Sequence, residues 1–393
     1  MPLFAPALRC LDVMLGKSTP CVHPLRVPRV PPSRYVLVKW IAMRKRAGPR
    51  RPTQVEIAQR AGVSQATVSL VLNGGDGVPV AEETRRRVQQ AIEDLGYAAN
   101  PAARALRGMT VKTIGLYTFE SVFPVDQRDF YHPFLLGVEE EAARLGYDLL
   151  LFTSANTAQG GVYARGRNAL LKADGCVLLG RHISRDDLAN LAKEGFPFVF
   201  IGRRDISETE LSYVAPDYVT PTAALVEELA ALGHRRILLL RQTDGAEPGD
   251  DRERGLRQGA RAANLHPDDL VVEFSSGAAD IGTDRVTGWV RDGVTAVVVE
   301  PSEDNATGLA LAEVAEAAGV RIPDHLSVAF LGSAPPPTAT RIWTSFEIPR
   351  VEIGRAAVQL LVNLLEGAEQ PPLQLVVPCT DVRGNSISRV VRR

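Results

Sequence analysis

Residues 57–73 read IAQRAGVSQATVSLVLN, and this stretch with its flanks decides how the front of the chain folds. Thr53 and Glu56 precede it at the spacing of a capping box, in which a hydroxyl and a carboxylate satisfy free amides at a helix start. The pattern predicts a helix that runs to about Arg60. The residues expected to be buried on this helix are Val55, Ile57, Ala58 and Ala61.

Two further helices are predicted after this one. Gly62 suits a tight turn, because glycine adopts positive φ at little cost. Ser64 is placed to cap a second helix over about 65–72. A third helix is predicted over 82–95, ending at Gly96. Its expected inward residues are Val88, Ala91, Ile92 and Leu95.

The second helix has two chemically different faces. Its apolar face, at helical spacing, is formed by Val68, Val71 and Leu72. The opposite face is small, uncharged and mostly polar, and consists of Gln65, Ala66, Ser69, Leu70 and Asn73. Such a helix enters a DNA major groove without steric obstruction, with Gln65 suited to adenine and Ala66 and Leu70 to thymine methyl groups. The alternative is an ordinary helical hairpin.

From about residue 111 the pattern changes to alternating strands and helices. Apolar runs predict strands at 113–117, 148–152, 175–179, 198–201, 237–240, 296–299 and 327–331. Amphipathic stretches predict helices at 134–145, 221–232, 252–263, 305–318 and 351–365. This alternation indicates doubly wound parallel sheets, and its length of about 280 residues favours two α/β lobes. Ligands of such sheets bind at the carboxyl ends of the strands.

Charge is unevenly distributed along the 393 residues. Residues 1–110 hold 17 basic and 7 acidic side chains, whereas residues 111–393 hold 28 and 39. A basic front on an acidic body points to a polyanionic partner at one end. The four widely spaced cysteines favour a reducing compartment and, with scattered histidines, argue against a metal site. We find no membrane span, no convincing export signal and no catalytic motif, so an α/β enzyme is disfavoured.

Four regions follow from these patterns. Residues 1–52 hold 9 of the 27 prolines and no helical period, which predicts a disordered basic tail. Met43 is an alternative start, in which case residues 1–42 are not translated. Residues 53–99 form the DNA-binding domain, 100–110 the linker, and 111–393 the two-lobed body.

The front segment resembles the LacI/GalR family of bacterial transcription regulators. The matching residues include Ala61, Gly62, Val63, Ser64, Thr67, Val68, Ser69, Leu72, Asn73, Leu95, Gly96 and Tyr97. The match continues through Asn100, Pro101, Ala102, Ala103, Arg104, Ala105, Leu106 and Arg107. In that family this last segment is a hinge helix that enters the minor groove, so the resemblance implies that Leu106 is the apolar wedge that kinks the operator. A core residue of a short linker helix is the alternative for Leu106.

The resemblance implies a set of DNA-binding residues. They are Thr53, Ser64, Gln65, Ala66, Thr67, Ser69, Leu70, Asn73, Asn100, Ala103 and Leu106. Leu70 departs from the family's frequent arginine, which removes one strong guanine reader. Ala81 departs from its frequent helix-cap serine.

The resemblance extends over nearly all of residues 53–393 and implies an effector cleft between two periplasmic-binding-protein-like lobes. The resemblance implies that Arg252 is the family's effector-anchoring arginine, and a surface arginine at a helix start is the alternative. Phe274 corresponds to a stacking aromatic residue, with core packing as the alternative. Phe134, in the matching first helix of the body, is a further candidate for effector binding. Glu300 or Glu303 is a candidate replacement for a missing carboxylate. Gly332 and Ser333 stand where the family commonly has two aspartates, so we expect the effector to differ from a typical hexose, or to be absent.

The sequence therefore predicts an α/β protein with an N-terminal three-helix headpiece, a hinge helix and two doubly wound lobes. We expect a cytoplasmic, homodimeric repressor of this family that binds a pseudo-palindromic operator under control of an unknown effector, without a cofactor or metal. An activator or an effector-independent regulator is the main alternative. A solute-binding protein is more distant, because residues 53–107 and the missing export signal disfavour it.

Overall fold

The computed structural model describes residues 52–73, 80–97, 111–119, 128–152, 161–163, 168–180, 184–207, 209–243, 245–302 and 305–390. The chain divides near residue 98 into two compact units. The predicted tail up to residue 51 and the predicted hinge helix lie outside the described residues, so both stay predictions.

The first unit contains three helices, as the sequence predicts. They are α1 (Gln54–Ala61), α2 (Gln65–Asn73) and α3 (Glu82–Leu95). Their common core is formed by Ile57, Ala58, Ala61, Val68, Val88 and Ala91. The prediction that Val55 is buried is wrong, because its side chain is 47% exposed. Val55 lies two residues before Ile57, which on a helix is close to the opposite face.

The second unit begins with a lobe built on a six-stranded parallel sheet, here called the N lobe. Its strands lie in the order β11-β5-β4-β3-β1-β2. They are β1 (Thr113–Thr118), β2 (Asp148–Phe152), β3 (Gly175–Leu179), β4 (Phe198–Ile201), β5 (Tyr213–Pro216) and β11 (Gln374–Val377). The central strands are buried on both faces, as expected when helices cover both sides of a parallel sheet.

Helices cover both faces of the N-lobe sheet. One face packs against α4 (Arg128–Arg144) and α10 (Arg350–Leu365), and the other against α5 (Arg185–Lys193). Helices α4 and α10 approach closely where Gly137 faces Gly354. A Cβ on Gly137 would lie 2.0 Å from the Val351 carbonyl oxygen, and one on Gly354 would lie 2.3 Å from that of Phe134. Glycine is therefore needed on both helices for this contact.

The other lobe, here called the C lobe, has a four-stranded parallel sheet in the order β7-β6-β8-β9. The strands are β6 (Ile237–Gln242), β7 (Leu270–Ser275), β8 (Ala296–Val299) and β9 (Ser327–Phe330). One face packs against α6 (Val219–Ala231) and α7 (Glu247–Ala262), and the other against α8 (Thr283–Arg291) and α9 (Ala306–Ala317). Two doubly wound lobes are thus confirmed.

Near the end of the sequence the chain passes from the C lobe to the N lobe and back again. Strand β10 (Ser345–Glu347) pairs antiparallel with β12 (Thr380–Val382), while α10 and β11 between them belong to the N lobe. The final segment returns to the C lobe, where the Val328 amide donates to the Ser386 carbonyl oxygen at 2.9 Å. His234, predicted to be structural, is buried there between Thr295 and the carbonyl oxygen of Ser388.

Strands that consist of an apolar run were predicted close to their observed bounds. Elements whose segments are charged or of mixed polarity were predicted late or not at all. Helix α7 begins at Glu247, five residues before the predicted start, because its first turn is charged and has no apolar period. Helices α5 and α8 and strands β5, β7 and β10 were not predicted. Among the described residues, no helix is long and apolar enough to cross a membrane, and no cluster of three metal-ligating side chains occurs.

Candidate functional site

The start of α1 is fixed by the predicted capping box. The Thr53 hydroxyl oxygen accepts from the Glu56 amide at 3.4 Å, and the Glu56 carboxylate accepts from the Thr53 amide at 2.6 Å. These reciprocal bonds satisfy two amides that an uncapped helix would leave to solvent. The capping box therefore defines where the headpiece begins.

The turn between α1 and α2 also has the predicted geometry. Gly62 ends α1 with φ of 67°, in the left-handed region that favours glycine. The Ser64 hydroxyl oxygen accepts from the Thr67 amide at 3.1 Å and lies 2.9 Å from the Thr67 hydroxyl. Thr67 thus has a local role in the cap of α2 in addition to its predicted role at DNA.

Helix α2 presents the two predicted faces. Val68 is fully buried, and Val71 and Leu72 pack against the same core. On the other side, Gln65 and Ala66 are exposed, and Ser69 and Leu70 are half-buried. The Asn73 side chain, together with Asn100, Ala103 and Leu106, lies outside the described residues. The DNA contact of every residue in the predicted set stays a prediction.

In the described part of the headpiece, the charged side chains lie on α1 and α3, and α2 has none. Arg85, Arg86 and Arg87 are exposed on α3. Arg60 donates to the Asp94 carboxylate at 3.0 Å and so links α1 to α3. Hydrogen bonds from Gln90 and Arg60 hold the pKa of Asp94 below its usual value. The headpiece can therefore place arginines near phosphates while neutral side chains meet base edges.

A cluster of buried charged side chains lies at the carboxyl ends of the C-lobe strands. Arg252, in the second turn of α7, is 5% exposed. Its Nε donates to the Leu331 carbonyl oxygen at 2.7 Å, and its Nη1 donates to Glu300 at 2.9 Å. The guanidinium carbon lies 4.0 Å from the centre of the Tyr218 ring. Nη2 forms no hydrogen bond with the described residues.

Glu300, which follows β8, is 2% exposed. One of its carboxylate oxygens binds Arg252, and the other accepts from the Gln242 amide at 3.1 Å. That second oxygen also lies 4.0 Å from Nε of Arg241. Both oxygens therefore have protein donors, and we infer that Glu300 holds Arg252 in position.

Arg241, at the end of β6, was missed by sequence reasoning. It is 6% exposed and donates to Glu253 at 2.7 Å and to Asp250 at 2.9 Å. Burial alone lowers the pKa of Arg241, but the hydrogen bonds to these carboxylates raise it above its ordinary value. The available signal was an apolar strand that ends in an arginine rather than in a small residue.

Gly249 and Phe274 border this cluster. A Cβ on Gly249 would lie 2.5 Å from Nη2 of Arg241 and 3.1 Å from Glu300, so the first turn of α7 packs directly over the buried charges. Phe274 is 53% exposed, and its ring centre lies 5.5 Å from the Arg241 guanidinium. The predicted stacking residue thus borders Arg241 and keeps an accessible surface.

The remaining predicted cleft residues lie elsewhere or act differently. Phe134 is 5% exposed in the core between α4 and α10, beside Phe130. Ser333, which follows β9, accepts a hydrogen bond from Arg350 at the start of α10. The structure therefore brings Arg252, Glu300 and Phe274 together at one end of the C-lobe sheet but does not bring Phe134 into contact with them.

Comparisons with known proteins match both units. Residues 53–100 match the model for bacterial regulatory proteins of the lacI family, and residues 226–387 match that for a periplasmic binding protein-like domain. The HTH-type transcriptional regulator CelR of Thermobifida fusca is 31% identical over 335 residues, which span 84% of this chain and 96% of CelR. AscG of Escherichia coli (strain K12), also an HTH-type transcriptional regulator, is 26% identical over 81% of this chain and 94% of its own length.

Solved structures show the same fold. A transcriptional regulator CelR–cellobiose complex is 28% identical, with a TM-score of 0.57 over 86% of this chain and 100% of that one. A lac repressor dimer bound to operator and the anti-inducer ONPF is 20% identical, with a TM-score of 0.62 over the same shares.

Proposed function

This chain belongs to the lacI family of bacterial regulatory proteins, and we propose that it is a homodimeric repressor whose operator binding is controlled by a small-molecule effector. It is a DNA-binding transcriptional regulator with a helix-turn-helix domain and a periplasmic-binding-protein-like body. The operator, the effector and the direction of regulation are the proposed parts.

The observation that carries the DNA-binding proposal is the outer face of α2. Gln65 and Ala66 are exposed at its start, the Ser64 cap fixes where the helix begins, and no charged residue lies on that face. Amides at a helix N-terminus attract phosphate, and the exposed arginines of α3 add to this attraction. Neutral side chains then distinguish base pairs by hydrogen bonds and methyl contacts.

A dimer explains how a short helix such as α2 can recognise a specific DNA sequence, because it presents the helix twice. Two copies of α2 read two half-sites of a pseudo-palindrome, with paired hinge helices at its centre. The solved lac repressor dimer bound to operator supports this assembly for the family fold.

The effector proposal rests on the cluster around Arg252. Its Nη2 and the accessible face of Phe274 offer one polar and one apolar contact at the carboxyl ends of the C-lobe strands. The CelR structure is a complex with cellobiose, which makes cellobiose the first probe to use. Because Glu300 is engaged by protein donors, we propose that effector specificity differs from that of a sugar site with free carboxylates.

The named relatives are transcriptional regulators, which supports a binding function rather than a catalytic one. The charged groups of the cleft are engaged with each other as ion pairs. We therefore propose that they position a ligand and the lobes, and that they take no part in a reaction.

Base discrimination by α2 tests the proposal. Gln65→Ala should reduce the difference in affinity between operator and scrambled duplex, because a bidentate base contact contributes about 1–3 kcal/mol of discrimination. Gln89→Ala, an exposed glutamine on α3, is the matched control and should leave the difference unchanged. Equal discrimination by the Gln65→Ala variant and the unaltered chain would contradict the assignment of α2 as the reading helix.

A promoter reporter distinguishes repressor from activator. Expression of the chain should lower reporter output when the selected site overlaps the promoter. Increased output from the same arrangement would establish activation and overturn the repressor proposal.

A further inference from the structure

Several ion pairs join side chains of the C lobe to side chains of the N lobe, beside the Arg252 cluster. We propose that Glu247 and Asp251 of α7, with Arg185, Arg203 and Arg204 of the N lobe, form an inter-lobe clamp. The inter-lobe clamp holds the two lobes in one relative orientation when no ligand is bound.

Glu247 is the centre of the inter-lobe clamp. One of its oxygens accepts from Arg185 at 2.9 Å and from the Asp205 amide at 3.1 Å. Its other oxygen lies 3.5 Å from Nη1 of Arg204. Glu247 is 4% exposed, so these three N-lobe donors replace the water that a free carboxylate would bind.

Asp251 lies one helical turn after Glu247, which places both carboxylates on the same side of α7. It accepts from Arg203 through two nitrogens, at 2.8 Å from Nη2 and 3.3 Å from Nε. Burial alone lowers the pKa of Arg203, but its hydrogen bonds to Asp251 and Asp205 raise it above the ordinary value. This forked geometry fixes orientation as well as distance.

The inter-lobe clamp connects two rigid parts of the fold. Arg203 and Arg204 follow β4, and Arg185 begins α5, so the N-lobe contribution comes from the ends of two packed elements. Arg204 also donates to the Gly180 carbonyl oxygen at 2.8 Å and lies 4.7 Å from the Phe200 ring. A relative rotation of the lobes therefore has to separate several paired and partly buried charges at once.

The inter-lobe clamp also adjoins the candidate effector residue. Asp251 and Arg252 are neighbours in α7, so a ligand that draws on Arg252 moves the same turn that carries the clamp carboxylates. This step rests on the proposed function, because it assumes that an effector binds at Arg252. The clamp itself requires neither effector nor DNA, and it can be tested without them.

The test is an inter-lobe distance in the full chain, without DNA or ligand. Spin labels are attached through unnatural amino acids at Lys172 in the N lobe and Asp284 in the C lobe, both exposed. The labelled chain is mixed with excess unlabelled chain, so that only distances within one protomer are recorded. The E247Q/D251N double variant should shift or broaden the distance distribution. The control E228Q removes an exposed carboxylate from α6 of the same lobe and should leave it unchanged.

A distance distribution identical in E247Q/D251N and the unaltered chain would overturn the inter-lobe clamp. If the double variant does not fold, hydrogen exchange in the unaltered chain still decides the question. The Asp205 amide, which donates to Glu247, should be protected from exchange. Exchange there at the rate of an unprotected loop would show that the clamp does not form. Neither readout depends on operator binding, so a failed operator assay leaves this result intact.

Discussion

At the scale of single residues, Glu300 is where the buried charges of the C lobe converge. It binds Arg252 at 2.9 Å, the Gln242 amide at 3.1 Å, and lies 4.0 Å from Arg241. Removing one member of a buried ion pair leaves an uncompensated charge, which costs more than the pair itself contributes. The sequence predicted Arg252 and Glu300 as effector-binding residues, which stays a prediction. Their mutual hydrogen bond joins residues 48 positions apart, which come together only in the folded lobe.

Replacing Glu300 should therefore destabilise the C lobe. We expect Glu300→Gln to lower its free energy of unfolding by about 3 kcal/mol, the order found when one partner of a buried pair is removed. Trp289 and Trp343, both buried in this lobe, report its unfolding in denaturant by fluorescence. Glu316→Gln, on the exposed side of α9, serves as control. An unchanged midpoint for Glu300→Gln would contradict the positioning role of Glu300.

His234 gives the C lobe a defined response to pH. Burial lowers the pKa of His234 below its ordinary value of 6.5, although its bond to the Ser388 carbonyl oxygen acts in the opposite direction. The folded state therefore favours neutral histidine, and the unfolded chain binds the extra proton first. Neutral His234 therefore contributes its full share to the free energy of unfolding above about pH 6.5, and this contribution is lost as pH falls below that value. Thermal unfolding between pH 5 and 8 should show this decline, and His234→Gln should reduce it. The same pH slope in both proteins would refute the prediction.

At the scale of elements, local sequence signals predicted the helices of the headpiece more completely than the helices and strands of the lobes. The helices of residues 54–95 follow from caps and spacing within each segment, and only Val55 was misplaced. In the lobes, buried strands such as β3 and β8 were predicted with their observed bounds, because a run of apolar residues suffices. Strand β7 ends in Glu273, Phe274 and Ser275, and helix α8 is short, with Val286 and Trp289 as its buried residues, so neither stands out as a continuous apolar run. Their positions depend on pairing and packing with distant segments.

The capping box makes a prediction about α1. Thr53→Ala removes the hydroxyl that accepts from Glu56 and should cost the headpiece about 1 kcal/mol. Hydrogen exchange of the amides of α1 should accelerate accordingly. Gln59→Ala, exposed in the middle of the same helix, should not accelerate it. Equal exchange rates in the two variants would exclude a stabilising role for the cap.

The predicted hinge helix carries a prediction of its own. If Leu106 is the wedge that the resemblance implies, Leu106→Ala should weaken operator binding and reduce DNA bending, because the unstacked base step loses its apolar filler. A gel-phasing assay measures the bend angle. Unchanged bending would reject the assignment of the hinge.

At the scale of the whole molecule, the net charge is near neutral, but the basic and acidic side chains are unevenly distributed along the chain. The first 110 residues carry 17 basic and 7 acidic side chains, and the rest carries 28 and 39. We expect the basic part to neutralise phosphates and the acidic body to be repelled by them, so that contact is made through the front of the chain. Binding should therefore weaken steeply as salt concentration rises, for specific and nonspecific duplexes alike. The sequence alone shows this charge asymmetry, whereas the ion pairs of Arg241 and Arg252 in the C lobe are seen only in the folded structure.

Selection from random duplex DNA with the full chain tests the central claim most directly. The selected duplexes and scrambled versions are then compared by affinity at one salt concentration. We predict a pseudo-palindromic site that binds at least about 10³-fold more tightly than its scrambled version, as is typical of specific regulators. Failure to enrich a two-fold symmetric site, or equal affinity for selected and scrambled duplexes, would contradict the claim that this chain is a sequence-specific regulator.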